Sequence, residues 1–258
     1  MALADDHDPG GLGAAQLAER LGLAEDLAND GSARLVLRSR LRGEPEAIGS
    51  LRRFIDRRSA VGVELLWLRV AVPMLGLDVE RVFAWSPATS TIPHLVLGRA
   101  TTGALGMPGL STFTADLLPR VDLAVNAAYA KALYGPLEGE IAAYEHVLEN
   151  PVTAVEVAPR LRRIASPWAL RSTSAGDGTG GAGGLIEVYV RRFVELCAVG
   201  RAALEVAGLH APAPQVRDRR LRAGLSDPQS EPLWSEIDRL CGGPTASALA
   251  AWVRGDAG

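Results

Sequence analysis

The stretch STFTADLLPR, residues 111–120, decides how the middle of this 258-residue chain is interpreted. Its polar and apolar residues alternate, which is the pattern of a β-strand whose two faces meet different surroundings. Phe113, Ala115 and Leu117 fall on one face, and Thr112, Thr114 and Asp116 fall on the other. The apolar face is suited to a core. Asp116 either hydrogen-bonds a turn at the strand end or lies at the floor of a pocket.

Three β-prone segments precede this stretch, and Pro and Gly signals separate them from it and from one another. They are VELLWLRVAV (63–72), RVFAWSP (81–87) and HLVLGRA (94–100). Together with residues 110–117 they predict consecutive antiparallel strands.

Helical patterns flank these strands on both sides. We expect helices over residues 11–29, 44–60, 124–135, 136–150, 185–209, 231–243 and 244–255. Helices, then a sheet of four to six strands, then helices again are typical of the α/β class. The prediction is a three-layer α/β/α sandwich with a central, mostly antiparallel sheet.

No internal repeat divides the chain, so we expect one domain over residues 1–258, with residues 1–40 as a helical extension. The Gly- and Ser-rich segment STSAGDGTGGAGG (172–184) predicts a flexible loop. It lacks the lysine that a phosphate-binding loop requires.

Composition excludes several classes of function. The net charge of −3 gives no general attraction to nucleic acid. No apolar run reaches about 18 residues, and the acidic N-terminus lacks the pattern of a secretory signal, so we expect a cytoplasmic protein. Two cysteines without C-x-x-C spacing and four scattered histidines predict no bound metal. Lys131 is the only lysine, a bias typical of a GC-rich bacterial genome.

Three separated motifs resemble one known family. FTADLLPRVDLAVNAAYAKALY (113–134) is similar to the DL-x-x-R-x-DL-x-x-N-x-x-Y segment of red chlorophyll catabolite reductases. IASPWALRS (164–172) resembles that family's Ser-Pro segment, and VRDRRLRAGL (216–225) resembles its Asp- and Arg-rich C-terminal region. Their order and spacing agree from about residue 60 onward. Asp116 also fits the wider ferredoxin-dependent bilin reductase superfamily.

The resemblance implies a pocket between the sheet and the C-terminal helices, in which family members bind an open-chain tetrapyrrole. It implies no bound flavin or metal, with electrons supplied singly by reduced ferredoxin and protons supplied by carboxylates or imidazoles. Asp116 matches the strand aspartate, and Asp218 matches the aspartate of the C-terminal motif. Gly98 stands near the position of a catalytic glutamate in the chlorophyll-catabolite reductases, so that part of the proton chemistry does not carry over directly.

The residues themselves also indicate a pocket. If the strands pair, His94 and Asp116 point into one space, and Gly98 leaves room for a flat ligand. A buried aspartate is protonated more easily and can act as a general acid, while His94 shares that proton, orients the substrate, or is simply a hydrogen-bonded core histidine. We expect helices around 185–207 and 216–222 to cover this pocket.

The predicted site has two groups of residues. Catalysis is assigned to Asp116, Asp218 and His94, and substrate contacts are assigned to Gly98, Thr114, Arg99, Arg120, Trp85 and Arg217. Asp218 has an alternative interpretation as part of a solvated ion-pair cluster. The arginines of RLRR (160–163), Arg171 and the C-terminal arginines can bind substrate carboxylates or an acidic ferredoxin.

Two functions from different classes follow. The first is a cofactor-free, ferredoxin-dependent reductase of a conjugated, linear tetrapyrrole-like small molecule. The second is a non-redox isomerase or cyclase of a bacterial secondary metabolite on the same fold. A ligand carrier with a structural Asp116 is a third interpretation, and a homodimer is left open.

Overall fold

The computed structural model describes residues 12–41, 46–56, 62–103, 109–145, 161–175, 179–200, 204, 209–210 and 214–257. Its centre is a sheet of eight strands: β1 (Ala24–Glu25), β2 (Leu35–Ser39), β3 (Glu46–Ile55), β4 (Glu64–Val72), β5 (Leu77–Trp85), β6 (His94–Thr102), β7 (Leu110–Leu118) and β8 (Leu170–Ala175). The spatial order is β1-β3-β4-β5-β6-β7-β8, and β2 pairs with another part of β3. Every strand pairing within the described residues is antiparallel.

Six helices within the described residues cover the sheet: α1 (Ala14–Arg20), α2 (Ala127–Glu145), α3 (Thr179–Val199), α4 (Pro214–Leu225), α5 (Leu233–Cys241) and α6 (Gly243–Arg254). Helices α1, α2 and α3 pack on the face that carries Leu65, Val82 and Leu97. Helices α4, α5 and α6 pack on the opposite face, which carries Leu66 and Phe83. The predicted three-layer α/β/α sandwich is therefore confirmed.

The central strands are also confirmed. Residues 63–117 contain β4, β5, β6 and β7, which pair consecutively with short connections. Both faces of these strands carry buried apolar residues, so the alternation along each strand is weak. None of the helices in the described ranges is long and apolar enough to cross a membrane.

The predicted helix over residues 44–60 is wrong, because residues 46–55 form β3. Apolar residues three apart resembled one side of a helix. In the strand, Leu51 instead faces the C-terminal helices and Phe54 faces the opposite layer. A strand that carries a buried apolar residue on each face can therefore imitate helical spacing.

The N-terminal and loop predictions also need correction. Helix α1 is shorter than the predicted 11–29 helix, because Gly22 adopts a left-handed conformation and residues 24–25 and 35–39 are strands within the predicted helical extension. The segment 172–184 is not a loop where it is described: residues up to 175 continue β8, and α3 begins at Thr179. Residues 176–178 lie outside the described residues.

Two predicted helices, 124–135 and 136–150, are one continuous helix over the described part, α2, with Pro136 inside it. Proline has no N–H, so it cannot bond to the carbonyl of Ala132 four residues earlier. The Arg192 side chain of α3 donates to that carbonyl over 2.6 Å instead. A neighbouring helix thus supplies the donor that the proline lacks.

Candidate functional site

Asp116 lies on the sheet face covered by the C-terminal helices, directly opposite Val96. Its carboxylate is buried and accepts two hydrogen bonds from Ser166: the backbone N–H donates over 2.8 Å and the hydroxyl over 2.5 Å. Burial raises the pKa of Asp116 to about 6, although the Ser166 hydrogen bonds act to lower it. Near neutral pH this acid can hold or release a proton.

Asp116 lines a partly open cavity of about 80 Å³ between the sheet and the C-terminal helices. The sheet contributes Arg81, Phe83, Val96, Thr114, Ala115, Asp116, Leu118, Leu170 and Arg171. The covering segments contribute Leu161, Ala165, Ala169, Leu225, Glu231, Leu233 and Trp234. The walls are mainly apolar, and the few polar groups are two arginines, two acids and one threonine.

Gly98 is necessary for the position of Arg81. A Cβ atom at Gly98 would lie 2.4 Å from Thr114 Oγ1 and 2.6 Å from Arg81 Nη1. The guanidinium therefore occupies the space above the glycine, donates to the Arg99 carbonyl over 3.3 Å and pairs with Glu231 over 3.3 Å. The expected room for a ligand at Gly98 is filled by an arginine side chain, a contact that sequence spacing does not show.

Arg171 is the second cation at the cavity. It lies in β8 and pairs with Thr114, which is two residues before Asp116 in β7. Its Nε atom is buried and makes no hydrogen bond with the residues that the structure describes. A buried guanidinium nitrogen without an acceptor is costly, so this atom would gain from an anionic or carbonyl group of a ligand.

His94 and Asp218 form a separate buried network on the same side of the sheet. The backbone N–H of Ser86 donates to His94 Nδ1 over 3.1 Å, so the neutral ring carries its proton on Nε2, which lies 2.8 Å from Asp218 Oδ1. Burial lowers the pKa of His94 to about 3, and the hydrogen bond to Asp218 opposes this. His94 is therefore neutral near pH 7, and its proton points to Asp218.

Two arginines hold the Asp218 carboxylate. Arg120 Nη2 lies 3.3 Å from Oδ1, and Arg222 Nε lies 3.2 Å from Oδ2. Burial acts to raise the pKa of Asp218, but the His94 hydrogen bond and the arginine charges outweigh it and lower the pKa. The network is not a solvated surface cluster, because both Asp218 and His94 are buried.

The structure separates several predicted site residues from the cavity. Thr114 and Asp116 line it, whereas His94, Gly98 and Asp218 lie on the same side of the sheet without lining it. Helix α4 covers this side as expected, but α3, which contains the described part of the predicted 185–207 cover, packs against β6 and β7 from the opposite layer. That part of the prediction is wrong.

The predicted substrate contacts are also dispersed. Arg99 is on the opposite sheet face, where it pairs with Asp78 over 3.0 Å, and Arg217 donates to the Pro119 carbonyl over 2.9 Å. Arg120 is fully buried and donates to the carbonyls of residues 86–88. Trp85 is buried against the His94 ring. None of these four side chains lines the cavity.

Sequence reasoning missed three residues that line or shape the cavity. Arg81 shares a strand face with Phe83. An arginine on such an apolar face was the sequence signal from which this residue could have been predicted as part of the site. Ser166 belongs to the Ser-Pro motif, but its contact with Asp116 spans 50 residues. Glu231 reaches the cavity from the connection between α4 and α5, and no pattern in the sequence marks it.

A solved structure shares this architecture. Crystallographic phytochromobilin synthase from tomato, solved in complex with biliverdin, is similar with a TM-score of 0.65 and 14% sequence identity. The similarity covers 93% of this chain and 79% of that chain, and at this identity it shows the fold alone. No protein-family model matches the sequence, and a comparison with curated proteins finds no significant match.

Proposed function

We propose that this chain is a reductase of a conjugated small molecule, with Asp116 as the proton donor and reduced ferredoxin as the electron donor. The observation that carries the proposal is the position of Asp116. This protonatable carboxylate lines a cavity between the C-terminal helices and a bilin-reductase-like sheet. The proposal requires no resident flavin or metal.

The proposed reaction adds two electrons and two protons across a conjugated double bond. Two reduced ferredoxins supply the electrons one at a time. Asp116 supplies one proton, is reprotonated from solvent, and supplies the second. The neighbouring Ser166 hydroxyl stabilises the carboxylate left after each transfer.

Charges around the cavity favour an anionic substrate and an acidic partner. Arg81 and Arg171 line the cavity, where their guanidinium groups can pair with substrate carboxylates. Arg163, Arg219 and Arg220 are exposed on segments that border it, which is suitable for docking an acidic ferredoxin.

One observation favours the non-redox alternative, an isomerase or cyclase. The cavity of about 80 Å³ is smaller than the roughly 300–1,000 Å³ of common ligand pockets, so a linear tetrapyrrole requires the 161–169 wall to move. A smaller substrate would fit without that motion. Glu231 forms an ion pair with Arg81 at the cavity. It could remove a proton from the substrate while Asp116 adds one, with no electron transfer.

The decisive experiment incubates the protein anaerobically with biliverdin, with and without a ferredoxin-reducing system, and follows the visible spectrum. Loss of the long-wavelength band only with reduced ferredoxin supports the reductase. A spectral change that needs no reductant supports the isomerase or cyclase instead. Failure of biliverdin to bind or react removes the tetrapyrrole as substrate, and the exposed-site variant Asp256→Asn serves as the matched control.

A further inference from the structure

A second and larger pocket lies on the opposite face of the sheet from the Asp116 cavity. Its volume is about 410 Å³, within the range of small-molecule sites. We call it the β3–β4 pocket, and its lining residues are Glu25, Leu27, Gly31, Ala33, Ile48, Gly49, Ser50, Arg52, Trp67, Arg69 and Ala71. We propose that it binds a small planar aromatic carboxylate, with the ring against Trp67 and the carboxylate on Arg69.

The pocket exists because the helices of this layer do not cover the whole sheet. Helix α3 packs on β6 and β7, whereas the pocket lies over β3 and β4. The chain after β1 closes it from above. The Asp26 N–H donates to the Arg53 carbonyl over 2.8 Å, and the Asp26 carboxylate pairs with Arg34 and Arg53, which fixes this wall. The pocket is therefore built before any ligand arrives.

The floor of the pocket is shaped for a flat group. A Cβ atom at Gly49 would lie 2.0 Å from the Arg69 carbonyl oxygen, so only glycine allows the two strands to approach here. The half-buried Trp67 side chain lines the same pocket, and aliphatic side chains complete the wall. An aromatic ring stacks favourably on such an indole.

The charges of the pocket select an anion. Arg52 is neutralised, because its Nε and Nη2 atoms donate to both oxygens of Glu25 over 2.8 and 2.6 Å. The Arg52 guanidinium also lies 4.9 Å from the Trp67 ring centroid, which fixes the indole. Arg69 lies 3.9 Å from Asp78 and is 31% exposed, and its five N–H groups allow it to donate to a ligand carboxylate as well as to its present partners. One acid and two arginines leave the lining with a net positive charge.

This ligand class can be tested with a pair of probes that differ only in charge. Naphthalene-1-acetate and naphthalene-1-acetamide share one aromatic body, and isothermal titration calorimetry on the full chain measures the affinity of each. We expect the acetate to bind roughly 10- to 100-fold more tightly, the effect of one charge-assisted hydrogen-bonded pair. Arg69→Gln should remove that difference, while Arg254→Gln, an exposed arginine elsewhere, should preserve it.

Two space-filling variants locate the binding. Ala71→Trp should abolish binding by filling the β3–β4 pocket, and Ala169→Trp, which fills the Asp116 cavity, should leave it unchanged. Absence of binding at millimolar probe, equal affinities for the two probes, or a charge preference that survives Arg69→Gln would overturn the proposal. So would binding that Ala169→Trp removes. If Ala71→Trp does not fold, the Arg69→Gln comparison still decides.

Discussion

Replacing Asp116 by asparagine should make the protein more stable near neutral pH and leave acid stability almost unchanged. Burial raises the pKa of Asp116 from 3.8 to about 6, so the folded state resists ionisation of this group. The stabilisation that accompanies a raised pKa is fully present below pH 3.8 and is lost as the pH rises through 6. At pH 7.5 the free energy of unfolding is therefore about 3 kcal/mol lower than it is where Asp116 is protonated in both the folded and the unfolded state.

Asparagine has no such ionisation, and its amide can keep partners at Ser166. We compare the free energy of unfolding of the variant with that of the wild type. Between pH 4.5 and 7.5 this difference should change by about 2 kcal/mol, with the variant becoming the more stable of the two. Any pH-independent effect of the amide cancels in this comparison. Urea denaturation followed by circular dichroism measures it, with the exposed Asp256→Asn as the control. A difference that does not change with pH would show that Asp116 is not buried in the way described.

Three further outcomes follow from the same site. Ser166→Ala removes the hydroxyl that lowers the pKa of Asp116, so the alkaline limb of the pH–rate profile should move up by about one unit. Asp218→Asn leaves buried cationic groups without their carboxylate and should lower the free energy of unfolding by about 3–5 kcal/mol in urea denaturation at pH 7. Gly98→Ala should cost about 1–3 kcal/mol by the same method, because the new methyl group displaces a buried guanidinium. Gly183→Ala, which meets no atom within 4 Å, should be neutral or stabilising.

Each of these outcomes has a result that would contradict it. An unchanged pH–rate profile in Ser166→Ala would mean that the hydroxyl does not control the proton on Asp116. A loss below 1 kcal/mol in Asp218→Asn would mean that the buried network is solvated. Equal stability of the two glycine variants would mean that the space above Gly98 is open.

The central strands could be predicted because the patterns that indicate them lie within each strand or directly beside it. Alternation around Asp116 and the turn signals before and after each strand were enough to place β4, β5, β6 and β7. Residues 46–55 were predicted as a helix because Ile48, Leu51 and Phe54 are three residues apart, although the strand divides them between its two faces. The continuity of α2 through Pro136 depends on a donor from α3, and no local pattern contains that contact.

The candidate site was predictable in part for the same reason. Asp116 and Thr114 could be placed on one face from their strand alone, and both line the cavity. The burial of Arg120 and the pairing of His94 with Asp218 depend on residues 32 to 124 positions apart. Such contacts decide which charged groups meet a ligand and which only hold the fold together.

The most direct test of the central claim is the rate of the catalysed reaction in Asp116→Asn under reducing, anaerobic conditions. If Asp116 delivers the proton, single-turnover reduction should fall by about 10²–10⁴-fold, since asparagine preserves the shape of the site but cannot transfer a proton. Ligand affinity, measured by spectral titration, should change little. A near-native rate in Asp116→Asn would contradict the account and make this acid a structural residue.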